Sequence, residues 1–173
     1  MGRSEEYINE PLARHTTFRI GGPADRLVVP GDREDLIETV RACLRTRTPC
    51  FLLGRGSNTL VGDRGVRGIV IKNTGACLDL DVDGDTVRVG SSVPLQRLVR
   101  FCIGNNLEGM EYLYSVPGNV GGAVYMNAGR GIVENGFIAD HLVCVEAFDG
   151  EGVRALTKEE CGFGYRTSVF QRL

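Results

Sequence analysis

The stretch that most constrains the fold is "SVPGNVGGAVYMNAGR", residues 115–130, which contains four glycines and two asparagines. Glycine loses the most conformational freedom on folding, so a cluster of glycines weakens a fold unless another interaction compensates. Pro117 and Gly118 suit the central positions of a type II turn, and Gly121 and Gly122 permit positive φ or close approach of another group. The stretch therefore predicts either a set of tight turns or a ligand lying against the main chain.

The same stretch has the side chains that a planar ligand would need. Val120, Ala123 and Val124 are apolar, while Asn119 and Asn127 supply amide donors and acceptors. Such a surface packs against the flat face of an aromatic ligand and hydrogen-bonds its edge. The alternative is a tightly packed β lobe in which the glycines form corners.

A second glycine-rich stretch, "LLGRGSNTLVGDRG" at residues 52–65, follows an apolar run. Gly54 and Gly56 resemble the start of G-x-G-x-x-G, but Thr59 occupies the third glycine position and no amphipathic helix follows. A dinucleotide fingerprint needs that helix to hold the pyrophosphate, so a Rossmann site is disfavoured. The chain has no Gly-Lys-Ser/Thr, which excludes a P-loop.

Successive backbone N–H groups at residues 54–59 can still form an anion nest, to which Ser57 and Asn58 would add side-chain donors. The alternative is a pair of β-turns that only reverses the chain. Two glycine loops, each after an apolar strand, fit a ligand with both a diphosphate and a planar ring, such as a flavin dinucleotide.

The first 72 residues read as a βαβ unit. Apolar strands are predicted at 27–29 and 51–53, with a helix between them capped by Asp32 and with Asp35 three residues on. The two strands are expected to be parallel, because a helix connects them. The predicted apolar stripe of this helix consists of Leu36, Ile37, Val40 and Leu44.

The remaining chain reads as hairpins and glycine loops, so we place a subdomain boundary between 1–72 and 73–173. A further strand is predicted at 68–71, at the end of the first range. In the second range, the alternating residues on either side of 83–85 and of 149–150 predict two hairpins. Ser92 is predicted to cap a second helix, and Thr157 and Glu160 form a capping-box pattern. The buried face expected on the second helix consists of Leu95, Leu98, Val99 and Cys102.

Composition and charge exclude several classes of protein. The formal net charge is −2 and the arginines are scattered, so neither nucleic acid nor a membrane surface is an expected partner. No apolar stretch is long enough to be a leader or a membrane span, which favours a cytoplasmic protein. No two of the six cysteines have C-x-x-C spacing, and both histidines lie far from any cysteine pair, so no metal site is expected. Cys50 and Cys102 lie in apolar runs and are expected to be buried, reduced thiols.

Four blocks resemble the UDP-N-acetylenolpyruvoylglucosamine reductase (MurB) family and occur in the same order as in that family. They are "PLARHTTFRIGGPAD" (11–25), "LGRGSNTLVGDRGVRGIVI" (53–71), "VPGNVGGAVYMNAG" (116–129) and "CGFGYRTSVF" (161–170). The resemblance implies an α+β fold, a two-lobed FAD-binding domain of the vanillyl-alcohol oxidase (PCMH) type. Its subdomains would be 1–72 and 73–173, with FAD held between them.

The resemblance also implies an activity in peptidoglycan precursor synthesis. NADPH would reduce FAD, and the reduced flavin would convert UDP-N-acetylglucosamine enolpyruvate to UDP-N-acetylmuramate. Arg166 would be catalytic and, with Tyr165, would contact the UDP-sugar substrate. His15 and Tyr125 lie in matched blocks, but we assign neither a role in proton transfer. The implied cofactor contacts are Gly54, Arg55, Gly56, Ser57, Asn58, Thr59, Pro117, Gly118, Val120, Gly121, Gly122, Tyr125, Asn127 and Ala128.

The arginine assignment also has a chemical reason. Hydride addition to an enolpyruvate produces an enolate conjugated to a carboxylate, and a guanidinium offers a fixed charge with a planar donor fork. The alternative for Arg166 is a surface ion pair. Residues 130–132 depart from the small-residue and tyrosine run that follows "MNAG" in that family, so the geometry near the flavin edge is expected to differ.

The resemblance stops soon after Arg166. The family's substrate-binding domain, with its proton-donating serine and a glutamate, has no match here, so we expect a C-terminally truncated reductase. A second chain supplying that domain would complete the enzyme. Two alternatives remain open at this point: a non-catalytic flavin- or nucleotide-binding module acting with a partner chain, and a structural domain that binds nothing.

Overall fold

The computed structural model describes residues 4–130 and 136–172. Its contacts divide the chain into two units, one up to Leu78 and one from Asp79 onward. The first unit contains the strands β1 (Glu5–Pro11), β2 (Pro23–Val29), β3 (Cys50–Leu53) and β4 (Val66–Lys72), and the helix α1 (Arg33–Thr46). The second contains β5 (Leu80–Asp83), β6 (Thr86–Val89), β7 (Cys144–Phe148), β8 (Val153–Thr157), α2 (Leu95–Gly104) and α3 (Val120–Tyr125). Short 3-10 helices span Leu12–His15, Glu111–Ser115, Ile138–His141 and Val169–Gln171.

The first unit is a four-stranded sheet in the order β1-β2-β4-β3. β2 and β3 both pair in parallel with β4, so the predicted parallel direction of the βαβ strands is confirmed, with β4 inserted between them. Asp32 caps α1 as predicted, because its carboxylate accepts a hydrogen bond of 2.9 Å from the N–H of Asp35.

Each face of this sheet has its own core. On one face, Val28, Ile69 and Ile71 of the sheet pack against Cys43 of α1. The core on the other face consists of Leu12, Ala24, Leu27, Leu53, Val61 and Val70. The prediction that Leu44 belongs to the buried stripe of α1 is wrong, since Leu44 is 53% exposed and Cys43 is buried instead. Leu36, Val40 and Cys43 share a helical face, and Leu44 lies about 100° away from Cys43 around the axis.

The burial of Cys50 and Cys102 depends on where each lies in the fold. Cys102 is buried on α2 as predicted, and burial raises the pKa of its thiol. The prediction for Cys50 is wrong: this residue begins the edge strand β3 and is exposed. An apolar sequence on an edge strand does not imply burial, because such a strand has a neighbouring strand on one side only and less of the protein covers its side chains.

Both predicted hairpins are present in the second unit. Leu80 lies opposite Val89 and Val82 opposite Val87 in one, and β7 pairs antiparallel with β8 in the other. The predicted face of α2 is buried throughout. Its start is different from the prediction: Pro94, in an extended conformation, is the N-cap residue, and Ser92 lies before it.

The stretch around Gly121 is not a loop but the short helix α3. Gly118 has the positive φ predicted for it, +135°, whereas Gly121 and Gly122 are helical. Thr157 and Glu160 exchange both hydrogen bonds of a capping box, but the segment that they close is a turn. Among the described residues, no helix has both the length and the apolar character needed to cross a membrane.

Candidate functional site

The loop at residues 54–59 leaves the carboxyl end of β3 and packs against the 3-10 helix Leu12–His15. Gly56 has φ +68°, and a Cβ there would lie 2.2 Å from the carbonyl oxygen of His15. The N–H of Thr17 donates a 3.0 Å hydrogen bond to the carbonyl of Gly56. The glycine is therefore required by the approach of its own chain, as in the turn interpretation.

The same loop also keeps the donors of the nest interpretation. Within 4–130 and 136–172, the N–H groups of Arg55, Gly56, Asn58 and Thr59 donate none of the backbone hydrogen bonds formed outside helices and strands. The side chains of Arg55 and Asn58 are exposed. A cavity of about 170 Å³ lies beside the loop and is lined by Thr59 and mainly by apolar residues, among them Leu53 and Leu60.

A cluster that the sequence did not reveal lies in the same unit. Lys72 Nζ is 2.9 Å from His15 Nδ1, and His15 Nε2 is 3.0 Å from Glu10 Oε1. The hydrogen bond from His15 is the main reason that the pKa of Glu10 lies below its ordinary value. Lys72 and His15 are 57 residues apart in the chain, and no local pattern connects them.

In the second unit, the two glycines of α3 have different surroundings. The N–H of Gly121 donates to the carbonyl of Ser91 at 2.9 Å, and a Cβ on Gly121 would lie 3.0 Å from that of Ser91. A Cβ on Gly122 would meet no atom within 4 Å. Gly121 therefore packs against another part of the protein, while Gly122 faces open space.

Asn127 joins α3 to two other segments. It is buried with φ +43°, its Nδ2 donates to the Gly164 carbonyl at 2.9 Å, and its Oδ1 accepts from the N–H of Ala139 at 3.3 Å. The adjacent Ala128 is also buried. The amide of Asn127 thus uses one donor and one acceptor site within the protein.

The segment at residues 164–171, here called the Arg166 segment, lies on the carboxyl-terminal end of α3. Ser168 Oγ donates to the carbonyl of Tyr125 at 2.7 Å, and Gln171 Nε2 donates to the same carbonyl and to that of Arg166, both at 3.1 Å. The structure therefore joins this segment to the carbonyl of Tyr125 and, through Gly164, to the amide of Asn127. Of residues 130–132, Gly131 and Ile132 lie outside the described residues.

The guanidinium of Arg166 has neutral partners. Its Nη2 donates to the Gly129 carbonyl at 3.0 Å, and its Cζ lies 5.8 Å from the ring centroid of Tyr165. No carboxylate of the described residues pairs with it, so the surface ion pair that was its alternative role is not formed there. Tyr165, 78% exposed, makes an edge-on contact with Phe137. Among the described residues, no group of three or more His, Cys, Asp and Glu side chains is arranged to hold a metal ion.

Residues 24–156 match the family model described as "FAD binding domain". The chain belongs to the FAD-binding domain family. The α+β fold and the cofactor class expected from the sequence blocks are thereby confirmed. The contacts of individual residues with FAD stay predictions.

Relatives of known name give a finer comparison. The chain is 41% identical over 169 residues to the UDP-N-acetylenolpyruvoylglucosamine reductase of Halalkalibacterium halodurans, covering 97% of this chain and 55% of the relative. Against the reductase of that name from Clostridium botulinum, identity is 39% over 173 residues, with 99% and 55% covered. The chain thus spans about half the length of the curated relatives it matches.

Solved structures agree with these relatives. The chain is similar to the MurB crystal structure from Thermus caldophilus, with a TM-score of 0.76, 38% identity and coverage of 97% of this chain and 57% of that one. Aclacinomycin oxidoreductase shares the fold alone, at a TM-score of 0.61, 19% identity and coverage of 88% and 33%.

Proposed function

We propose that this chain is the FAD-binding part of a UDP-N-acetylenolpyruvoylglucosamine reductase. That enzyme would use NADPH to reduce UDP-N-acetylglucosamine enolpyruvate to UDP-N-acetylmuramate. The observation that carries the proposal is the 41% identity to a reductase of that name over 97% of this chain. Because the match covers only 55% of that reductase, the rest of the substrate site would come from sequence outside this match.

The first unit has groups that fit the diphosphate of FAD. The N–H groups of Arg55, Gly56, Asn58 and Thr59 donate none of the backbone hydrogen bonds formed outside helices and strands and would be available to a phosphate, and Arg55 adds an exposed positive charge. Backbone nests bind phosphate without a helix N-terminus. We assign Gly54 to Thr59 to this role.

The second unit has groups that fit a planar ring. Gly122 leaves space above α3, and Tyr125, 45% exposed, follows on the same helix. Val120 and Gly121 would hold this surface in shape rather than contact the ring, since Val120 is buried and Gly121 packs on Ser91. Pro117 and Gly118, which precede them, stay predicted cofactor contacts. Asn127 and Ala128 hold the end of α3 against the Arg166 segment.

When bound and reduced by NADPH, the flavin would supply the hydride that the enolpyruvyl group receives. Arg166 would stabilise the negative charge that develops on the enolate and its carboxylate, because its guanidinium has no carboxylate partner among the described residues. Gly129 orients that guanidinium through its carbonyl, and Gln171 fixes the carbonyl of Arg166 itself. Tyr165 would form the wall of the same substrate site.

The experiment that tests the proposal is a flavin titration of the purified chain. We expect a flavin absorption spectrum and release of FAD on denaturation. A chain that stays colourless and does not bind added FAD would contradict the proposal. Oxidation of NADPH that depends on the enolpyruvyl sugar, measured together with the part of the reductase that lies outside the match, separates a reductase from a non-catalytic flavin-binding module.

The different surroundings of Gly121 and Gly122 predict two different results. Gly122→Leu should weaken FAD binding by at least about tenfold with little change in thermal stability, because the new side chain enters space that the protein leaves open. Gly121→Val should instead lower the melting temperature, because Ser91 and not a ligand lies beside Gly121.

Thermal melting and FAD titration of both variants check this prediction. Gly122→Ala is the matched control and should bind FAD nearly as the parent does, since a methyl group there meets no protein atom within 4 Å. Parent-like FAD affinity in Gly122→Leu would show that the ring lies elsewhere.

A further inference from the structure

Lys72 lies at the same corner of the sheet as the loop at 54–59. Along β4, Ile71 is buried on the α1 face, while Val70 is buried on the opposite face together with Leu12. Side chains alternate along a strand, so Lys72 shares the face of Val70. That face is covered by the 3-10 helix Leu12–His15, against whose last carbonyl Gly56 packs.

The register of the strands gives the same location independently. Leu53, the last residue of β3, lies opposite Lys72, the last residue of β4, and these strands are parallel. The N–H of Asn73 donates to the carbonyl of Leu53 at 2.8 Å, which continues the pairing to the start of the loop. Ligands of open α/β sheets bind outside the carboxyl ends of the parallel strands, and Lys72 occupies that end.

The ammonium of Lys72 has no counter-ion among the described residues. It is half-buried, and its one hydrogen bond there goes to His15 Nδ1 at 2.9 Å. Since an ammonium only donates, Nδ1 must accept, which places the ring proton on Nε2 facing Glu10 at 3.0 Å. The contact of Glu10 with His15 is therefore a hydrogen bond from a neutral imidazole, and the charge of Lys72 is left for another group.

We propose that Lys72 is an anion-binding residue that contacts a phosphate group held by the loop at 54–59, and that His15 and Glu10 position its ammonium. This inference rests on the proposed function in taking the diphosphate of FAD as the natural ligand. Burial of an uncompensated charge is costly, and a bound phosphate would offset that cost. Lysine supplies a point charge, and the loop supplies directional N–H donors.

Lys72→Met is the variant that tests the proposal, in the 173-residue chain. We expect its affinity for FAD to fall about ten- to a hundredfold, as for loss of a charge-assisted hydrogen bond. Binding of riboflavin, which carries the ring without phosphates, should not change. The dependence of FAD affinity on salt concentration should also become less steep.

Three controls accompany this measurement. Lys158→Met removes the chain's other lysine, in the second unit, and should leave FAD affinity unchanged. Lys72→Gln keeps a polar side chain without the charge, so it replaces Lys72→Met in the FAD titration if the methionine variant does not fold. His15→Gln should weaken FAD binding less than Lys72→Met does, because it disturbs the position of the ammonium and not its charge.

Titration with inorganic pyrophosphate tests the site without flavin. The parent should bind pyrophosphate, in competition with FAD, and Lys72→Met should bind it about tenfold or more weakly. Parent-like pyrophosphate and FAD binding in a folded Lys72 variant would overturn the inference and leave the proposed function intact. A parent that binds pyrophosphate through Lys72 but not FAD would contradict the proposed function alone.

Discussion

Replacing Gly56 with alanine is expected to destabilise the first unit by about 2–4 kcal/mol and to remove FAD binding. The left-handed φ of +68° costs about 1 kcal/mol for any residue with a Cβ. The added carbon would also lie 2.2 Å from the His15 carbonyl oxygen and 2.8 Å from the Cα of Thr16. Both neighbours are backbone atoms, so the loop and the 3-10 helix must move apart. Denaturant unfolding and FAD titration measure the two effects.

Gly62→Ala is the matched control in the same stretch. Gly62 has no positive φ, and a Cβ there would meet no atom within 4 Å. Its alanine variant should therefore keep the stability and FAD affinity of the parent. A Gly56→Ala variant that unfolds at the same denaturant concentration as Gly62→Ala would show that the loop does not pack on His15 as described.

Arg166→Ala should lower turnover by about a hundred- to a thousandfold while leaving FAD bound. The guanidinium is the charge that the proposed function directs at the developing enolate, and no carboxylate of the described residues neutralises it. NADPH oxidation that depends on the enolpyruvyl sugar measures the first effect in an active preparation. The flavin spectrum of the purified variant measures the second.

The backbone at Arg166 calls for a control of its own. Arg166 has φ +56°, so alanine there adds strain that is unrelated to charge. Asparagine tolerates this conformation, and Arg166→Asn should lose as much turnover as the alanine variant. Arg166→Lys keeps a charge but not the planar fork, and should retain only part of the activity. Unchanged turnover in the alanine and asparagine variants would remove Arg166 from the mechanism.

Sequence periodicity predicted the local structure well where one face of an element is buried. The hairpins of β5–β8, the Asp32 cap and the buried face of α2 were all predictable, because each depends on spacings of a few residues. The α3 helix was not, since its two adjacent glycines disfavour a helix. Tertiary hydrogen bonds stabilise the start of α3 instead, from the N–H of Val120 to Val93 and of Gly121 to Ser91.

The candidate site was predictable only as far as the family blocks extend. The resemblance names Tyr165, Arg166 and residues at the end of α3 as site residues, and the structure joins Arg166 to Gly129 and Ser168 to Tyr125. Their contacts with FAD and substrate stay predictions. Lys72 was not predictable, because its contact with His15 joins β4 to a 3-10 helix 57 residues earlier. In the sequence, a single lysine at the end of a strand does not indicate a binding role. Only the fold shows that an imidazole lies beside it.

The contacts between α3 and the Arg166 segment have an evolutionary consequence. Asn127, Arg166, Ser168 and Gln171 each donate to a main-chain carbonyl, those of Gly164, Gly129 and Tyr125. Every residue type presents that carbonyl, so mutation at the accepting positions need not break these bonds. These bonds therefore place no restriction on the side chain at position 125, which only the proposed ring contact would restrict, whereas the four donors would have to be inherited together.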